Sequence, residues 1–146
     1  MKTNAKTTLI KISDTNLRFA QSEEDIRGRR VRDSSGQDVG HIIDLLIDEG
    51  EQKIRFLEVA SGGLLGIGEN RILILVDAIS SVDGQSIHIN QTHEHIFGSP
   101  PYDPALVSES YYGDVYGHYG YSPFWGMGYS YPTYPYSVVV KGGEIG

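Results

Sequence analysis

The first hundred residues alternate short apolar, β-branched runs with turn-forming residues, a pattern typical of strands. Glycine or aspartate stands in most of the turns, and Asp83-Gly84 is a strong hairpin signal. Hairpin-linked strands indicate an all-β fold that closes into a small barrel, because closure removes exposed sheet edges. The five predicted strands are Ile26–Arg32, Val39–Ile47, Ile54–Ala60, Ile72–Ile79 and Ser86–Asn90.

One connection of the predicted barrel is unusually apolar. In the link Ser61–Arg71, the side chains of Leu64, Leu65 and Ile67 stand among four glycines. A solvated loop rarely carries so many large apolar side chains. We expect this link either to fold over an open end of the barrel or to contact a partner.

A short helical turn is predicted after the last strand. Thr92 is a suitable N-cap, Glu94 favours the positive end of a helix, and Gly98 ends the turn. Ile96 and Phe97 are then expected to pack onto the barrel.

The end of the chain has a different composition. Between Tyr111 and Tyr136 there are nine tyrosines, five glycines, three prolines and the sole tryptophan. This composition predicts a low-complexity tail, and the interleaved glycine and proline argue against a regular helix. The sequence thus divides into an N-terminal segment (1–22), a β-barrel (23–97), a proline-containing linker (98–110) and the tail (111–146).

Three interpretations of the tail remain open. It is a disordered segment, an arm that docks on its own barrel or on a dimer mate, or a multivalent segment that recruits partners. In the second case, Ser137–Gly143 is expected to add a β-strand to a sheet edge. Phe124 and Trp125 are the best contact candidates within the tail, because aromatic side chains dominate interface energetics.

Charge and composition narrow the function classes. The net charge of −7 and the pI of about 5.1 disfavour nucleic-acid binding, which needs a basic face. The chain has no cysteine and no apolar run long enough to span a bilayer. We therefore expect a cytoplasmic protein without a cofactor, and contact of the tail with a membrane surface stays open.

At this point the residues resemble the PRC-barrel domain family. The resemblance runs from about Asp25 to Tyr102 and rests on Gly28 before Val31, on the glycine spacing of residues 36–40, on Asp48 and on the "LGIG-x-x-R-I-L-I" run that leads into "VDAI". The family includes the cytoplasmic domain of the photosynthetic reaction-centre H subunit and the C-terminal domain of ribosome maturation factors. The resemblance implies a small β-barrel that serves as a docking module, with no shared catalytic motif. This sequence lacks the N-terminal membrane helix of the former and the basic character expected of the latter.

Two clusters of side chains admit a functional and a structural interpretation. His88, His93 and His95 are suitable metal ligands, but on a helical turn His93 and His95 point to different sides. Four arginines precede the first turn and fall on two faces of a strand after three acidic residues, so a salt-bridged surface is favoured over an anion site. These arginines are Arg27, Arg29, Arg30 and Arg32.

Nothing in the sequence predicts catalysis. The carboxylates of Asp48–Glu51 fall at a hairpin tip, where we expect them to be solvated rather than perturbed for acid–base work. The favoured hypothesis is therefore a non-enzymatic protein–protein interaction module, acting as a homodimer with an unidentified protein partner. An RNA- or ribosome-associated factor and a metal-binding protein are the alternatives. The candidate interaction residues are Leu64, Leu65, Ile67, Phe124, Trp125, Arg27, Arg29 and Arg30.

Overall fold

The computed structural model describes residues 9–19, 22–62, 70–105, 108–132 and 140–141. Within these residues the protein is mostly β, with nine strands and two α-helices. The strands are β1 (Leu9–Lys11), β2 (Leu17–Arg18), β3 (Arg30–Arg32), β4 (Asp38–Asp48), β5 (Ile54–Ser61), β6 (Asn70–Leu75), β7 (Ile79–Val82), β8 (Ser86–Ile89) and β9 (Val140–Lys141). The helices are α1 (His93–Phe97) and α2 (Glu109–Tyr119).

Seven strands form one curled sheet in the order β6-β5-β4-β3-β8-β7, with β1 paired to β4. Strands β6 and β7 stand at the two ends of this order, yet the 3-10 turn Val76–Ala78 alone connects them. The sheet must therefore curl until its two edges approach each other. The same turn shows that one continuous strand over Ile72–Ile79 was a wrong prediction, because the chain has to cross here from one edge to the other.

Four of the strand pairs are the predicted antiparallel hairpins, but the sheet is not built from hairpins alone. Strand β3 pairs with β8 in parallel, with Val31 opposite Ile87. The turn between β3 and β4 forms as its sequence predicts. The carboxylate of Asp33 accepts hydrogen bonds from the backbone N–H groups of Ser35 and Gln37, and Gly36 has a φ of +88°.

The helical turn after β8 is also confirmed. The hydroxyl of Thr92 accepts a hydrogen bond from the backbone N–H of His95 at 3.1 Å, and the helix ends at Phe97 before Gly98. Ile96 is buried, and Phe97 packs half-buried against the core. Before β3, Gly28 lies in a turn with a φ of +90°.

Residues 9–19 of the N-terminal segment belong to the packed structure, although the predicted barrel began only at residue 23. Ile12 and Phe19 are buried in the core, and β1 pairs with the far end of β4. The aliphatic centre of the sheet lies beneath them. Its fully buried members include Val31, Leu45, Leu57, Leu73 and Ile87.

The expectation that the tail forms no regular helix is wrong. The hydroxyl of Ser108 caps α2 by accepting a hydrogen bond from the backbone N–H of Tyr111, and Gly120 ends the helix with a φ of +85°. The buried residues of α2 recur at the spacing of one helical face, and this face supplies the burial that overrides the glycines. They are Tyr112, Val115, Tyr116 and Tyr119.

Helix α2 packs on the sheet through aromatic contacts. The ring of Phe56 stacks with that of Tyr112 at 5.5 Å and meets that of Tyr116 edge-on at 5.2 Å. The tail is therefore an arm on its own barrel in this region. Strand β9 pairs antiparallel with β2 in a separate two-stranded sheet, so this part of Ser137–Gly143 does not extend an edge of the seven-stranded sheet. The rest of that segment lies outside the described residues.

Candidate interaction site

Not all of the predicted contact residues can be placed. Leu64, Leu65 and Ile67 lie outside the described residues, so the role of their loop stays a prediction. Phe124 and Trp125 are described, and both are half-buried. They belong to residues 121–132, which we call the aromatic strap.

The arginine cluster is engaged with the protein's own acceptors. Arg27 pairs with Asp25 at 2.7 Å, and Arg30 pairs with Asp38 at 2.6 Å. The guanidinium of Arg29 donates to the backbone carbonyl of Asp83 at 3.0 Å. Two of the four arginines are thus salt-bridged, whereas Arg29 and Arg32 donate to backbone carbonyls.

The predicted metal ligands do not come together. His88 lies 3.1 Å from a carboxylate oxygen of Asp83, whereas the ring of His93 lies 4.6 Å from that of Phe97. His95 turns instead towards His118. Within the part of the chain that the structure describes, no three side chains of His, Asp or Glu are grouped to hold a metal ion.

His95 and His118 form a clasp between α1 and α2 that the sequence analysis did not identify. Their rings stack at 4.1 Å with an interplanar angle of 11°. The Nε2 of each histidine lies within 2.7 Å of the backbone carbonyl of the other. Because a carbonyl only accepts hydrogen bonds, both rings must carry a proton on Nε2.

The aromatic strap covers an arginine at the start of β5. Arg55, on β5, forms ion pairs of 2.7 Å with Asp48 and with Glu51, and its side chain is 3% exposed. Its guanidinium carbon lies 4.2 Å from the centre of the Phe124 ring and 5.5 Å from that of Tyr131. Burial alone would lower the pKa of Arg55, but the neighbouring Asp48 carboxylate raises it. The arginine therefore remains charged under the strap.

Sequence reasoning missed this arrangement because it placed Asp48 at a solvated hairpin tip. The Asp48 side chain is 4% exposed, and its carboxylate also accepts a hydrogen bond from the backbone N–H of Glu51. The available signal was an arginine, Arg55, inside the otherwise apolar start of a predicted strand, directly after Ile54. Only the fold could reveal that the aromatic strap would cover it.

A cavity of about 230 Å³ opens beside this ion pair. It lies between the β4–β5 turn and the strap, so that carboxylates form one wall and aromatic rings another. Its lining residues are Asp48, Gly50, Glu51, Arg55, Phe124 and Trp125.

Three side chains that interact electrostatically with Arg55 carry a buried polar atom without a hydrogen-bond partner among the described residues. These atoms are Oδ1 of Asp77 and the hydroxyl oxygens of Tyr116 and Tyr129. The Tyr129 hydroxyl approaches Asp77 without reaching hydrogen-bonding geometry. Burial raises the pKa of Asp77, and the nearby Tyr129 and Arg55 only partly oppose it. Unsatisfied buried polar groups cost free energy, so Tyr129 adds no hydrogen bond that holds this end of the strap. The neighbouring Tyr131 supplies one, because its hydroxyl donates to the backbone carbonyl of Ile54 at 3.0 Å.

The outer side of the strap presents an apolar tip. The Trp125 ring packs edge-on against Phe124 at 5.1 Å and against Tyr116 at 5.8 Å. Two residues later, Met127 is fully exposed, at 101% of its reference area. Phe124 and Trp125 thus pack against the protein on one side, while Met127 next to them in sequence is exposed to solvent.

Comparison with known proteins agrees with the fold. The PRC-barrel domain model matches residues 23–96, just over half of the chain. A search of curated proteins finds no significant match. Across the described ranges, no helix is long and apolar enough to cross a membrane. The chain belongs to the PRC-barrel domain family.

Proposed function

We propose that this PRC-barrel chain is a non-enzymatic protein–protein interaction module whose docking surface is formed by Phe124, Trp125 and Met127. We call these three residues the strap tip. The observation that carries the proposal is the fully exposed Met127 beside two half-buried aromatic rings. Large apolar side chains displayed together on a folded protein are a common mark of interaction sites.

The strap tip is built as a turn of fixed shape. The backbone N–H of Gly126 donates to the carbonyl of Pro123 at 2.9 Å, and Gly128 has a φ of +81°, which favours glycine. The ring contact between Trp125 and the buried Tyr116 anchors this turn to α2. A surface that is already ordered loses less conformational entropy when a partner binds.

The residue types suit a docking role. Tryptophan is enriched among the residues whose truncation costs about 2 kcal/mol or more at an interface centre. Methionine adapts its flexible side chain to different partner shapes. The glycines around both residues leave space for a partner backbone to approach.

The proposal is tested with Met127, because its side chain contacts solvent and its replacement should leave the fold unchanged. Partners captured by the full-length protein would be identified by mass spectrometry, purified and titrated by calorimetry. We expect Met127→Asp to weaken binding at least tenfold, since a carboxylate would be desolvated in an apolar contact. The matched control, Met127→Leu, should bind within about threefold of wild type.

The thermal midpoints of both variants should equal that of wild type, which separates docking from folding. If every purified partner binds Met127→Asp as tightly as wild type, the strap tip is not the docking surface. Loss of binding in both variants would point to a requirement for sulfur rather than for apolar contact.

A homodimer is part of the proposal, and the sheet edges bear on how it would form. On β6, the backbone carbonyl of Arg71 accepts from the N–H of Tyr102 at 3.1 Å, and that of Leu73 accepts from the Tyr119 hydroxyl at 3.4 Å. The linker and α2 thereby cover part of the β6 edge, which leaves the short β7 edge or the strap tip for self-association. Sedimentation velocity at high concentration should show a dimer, and a pure monomer would remove this part.

A further inference from the structure

We propose that the cavity between the β4–β5 turn and the strap binds a cationic side chain, arginine or lysine, from the partner protein. This inference rests on the proposed docking role and names the chemistry that the docking surface would recognise. Its motivation is the combination of a carboxylate wall with an aromatic wall in one cavity.

The charges around the cavity favour a cation. Asp48 and Glu51 contribute two carboxylates, whereas Arg55 is the one cation among the described residues that line the cavity. The cavity lining is therefore net negative even with the ion pairs formed. The chain as a whole carries −7, so a basic partner segment is attracted from a distance while an anion is repelled.

Glu51 provides the acceptor for the incoming cation. Its side chain is 65% exposed, and only Oε1 is used by Arg55, at 2.7 Å. Within the described residues, no hydrogen bond uses its Oε2. A guanidinium or ammonium that enters from solvent can therefore pair with Oε2 while the internal ion pair stays intact.

Trp125 provides the second recognition element. Phe124 already holds the Arg55 guanidinium on its ring, at 4.2 Å, which shows that this wall accepts a cation over a π-face. Trp125 lies nearly perpendicular to Phe124, with an interplanar angle of 81°, and lines the same cavity. An indole is the strongest cation–π partner among the side chains.

The size of the cavity indicates a side chain rather than a cofactor. Small-molecule sites generally occupy about 300–1,000 Å³. The cavity here is smaller, at about 230 Å³, and its lining residue Trp125 lies two positions before the exposed Met127. A partner segment would then place a basic residue in the cavity and an apolar residue against Met127.

The test uses N-acetyl-arginine amide as the probe and the emission of Trp125, the sole tryptophan, as the readout. We expect a saturable change with a dissociation constant on the order of millimolar, as suits a single side chain. The neutral isostere N-acetyl-citrulline amide should bind at least tenfold more weakly. If both compounds give the same titration, or if neither saturates, the cation assignment is wrong.

Variants sharpen the test. Glu51→Gln should weaken binding of the arginine probe at least fivefold, since it removes the exposed carboxylate. Glu49→Gln makes the same charge change two residues away, outside the cavity lining, and should bind within twofold of wild type. Equal weakening by both variants would reveal a general charge effect and overturn the proposal.

The Arg55 Nε–H resonance in ¹⁵N NMR spectra controls for disturbance of the internal ion pair. If that resonance keeps its position in Glu51→Gln while probe binding falls, the loss belongs to the cavity mouth. If the resonance moves, Lys and Arg probes are compared on wild type at rising salt, and binding that is insensitive to salt contradicts the proposal. Should Met127→Asp lose its partners while the arginine probe fails to bind, docking stands and only the cation site is withdrawn.

Discussion

The sheet and the C-terminal extension, which comprises residues 98–105 and 108–132, bury their apolar surface with different chemistry. The centre of the sheet is aliphatic, with residues such as Leu45, Leu57 and Leu73 that carry no polar atom. The buried face of the extension is mostly tyrosine. Each tyrosine adds a large area and also a hydroxyl that must find a partner.

Two of these tyrosine hydroxyls donate hydrogen bonds to backbone carbonyls of the sheet. Tyr119 donates to the carbonyl of Leu73 at 3.4 Å, and Tyr131 donates to that of Ile54 at 3.0 Å. Tyrosine thus serves two roles that leucine cannot combine, since it fills the aromatic layer over Phe56 and it covers open backbone at the sheet margin. An aromatic, glycine-rich segment is therefore a fixed part of this fold, because it packs on the sheet and bonds to open backbone groups at the sheet margin.

Among the substitutions considered, Tyr116→Ala should destabilise the protein most. Tyr116 is the largest fully buried side chain among the described residues, and it contacts both Phe56 and Trp125. Its truncation should lower the free energy of unfolding by about 3–5 kcal/mol, the usual cost of deleting a large aromatic side chain from a core. Chemical denaturation followed by circular dichroism measures the change.

Tyr116→Phe is the matched control. The Tyr116 hydroxyl has no hydrogen-bond partner among the described residues, so its removal should be neutral or stabilising. A Tyr116→Ala variant as stable as wild type would mean that the extension contributes nothing to the core, which is the first of the three interpretations that the sequence left open.

The sheet itself is tested by Gly40→Ala. Gly40 has a φ of +150°, and a Cβ built there overlaps the backbone carbonyl of Ala60 on the paired strand. The substitution forces β4 and β5 apart, for which we expect a loss of about 1–3 kcal/mol by overpacking. Gly84→Ala is the control, because nothing lies within 4 Å of its Cβ. Equal thermal midpoints for the two variants would contradict the close approach of the strands.

Asp77, on the turn between β6 and β7, lies near Tyr129 of the extension and should make the stability of this contact region depend on pH. Burial raises the pKa of Asp77 above 3.8 in the folded state, so the folded protein holds this proton more tightly than the unfolded chain. The stability that the proton provides is complete below about pH 4 and is lost as the pH rises through the folded pKa. Asp77→Asn should therefore gain stability relative to wild type as the pH rises from 4.

Asp83 supplies a control of opposite sign. Its pKa is lowered, chiefly by the hydrogen bond from the backbone N–H of Gln85, so its charged form stabilises the fold above about pH 4. Asp83→Asn should then be less stable than wild type above about pH 4, and this deficit should shrink as the pH falls below 4. Denaturation series at several pH values would measure both slopes, and parallel curves for wild type and Asp77→Asn would show that Asp77 is not desolvated.

Local rules predicted the sheet region well and the extension poorly. Turn chemistry at Asp33 and Gly36, and the cap at Thr92, depend on neighbours within a few residues, and the structure confirms them. The helix α2 was missed because its glycines lower helix propensity, while the receiving surface around Phe56 is distant in sequence. The helical spacing of Tyr112, Val115, Tyr116 and Tyr119 was nevertheless present in the chain.

Some residues of the candidate site could likewise be predicted from the sequence, and others could not. Phe124 and Trp125 could be chosen from composition alone, because aromatic residues are recognisable contact candidates in any context. Arg55 could not, because its burial depends on a strap that lies about seventy residues further along the chain. Arg55 belongs to the site only because the folded chain brings the strap over it.

The smallest effect expected here concerns the clasp that joins the two regions, His95 on α1 and His118 on α2. Each Nε2–H donates to the backbone carbonyl of the other residue, and the two rings stack. Replacement of either histidine by phenylalanine keeps a stacked ring but removes one hydrogen bond, at a cost of about 0.5–1.5 kcal/mol. Because each substitution also unbalances the shared stack, the double variant should lose less than the sum of the single losses, with a coupling of about 0.5 kcal/mol or more. A double-mutant cycle measured by urea denaturation decides the matter. Strictly additive losses would mean that the two helices are held to the sheet independently and that the clasp does not link them.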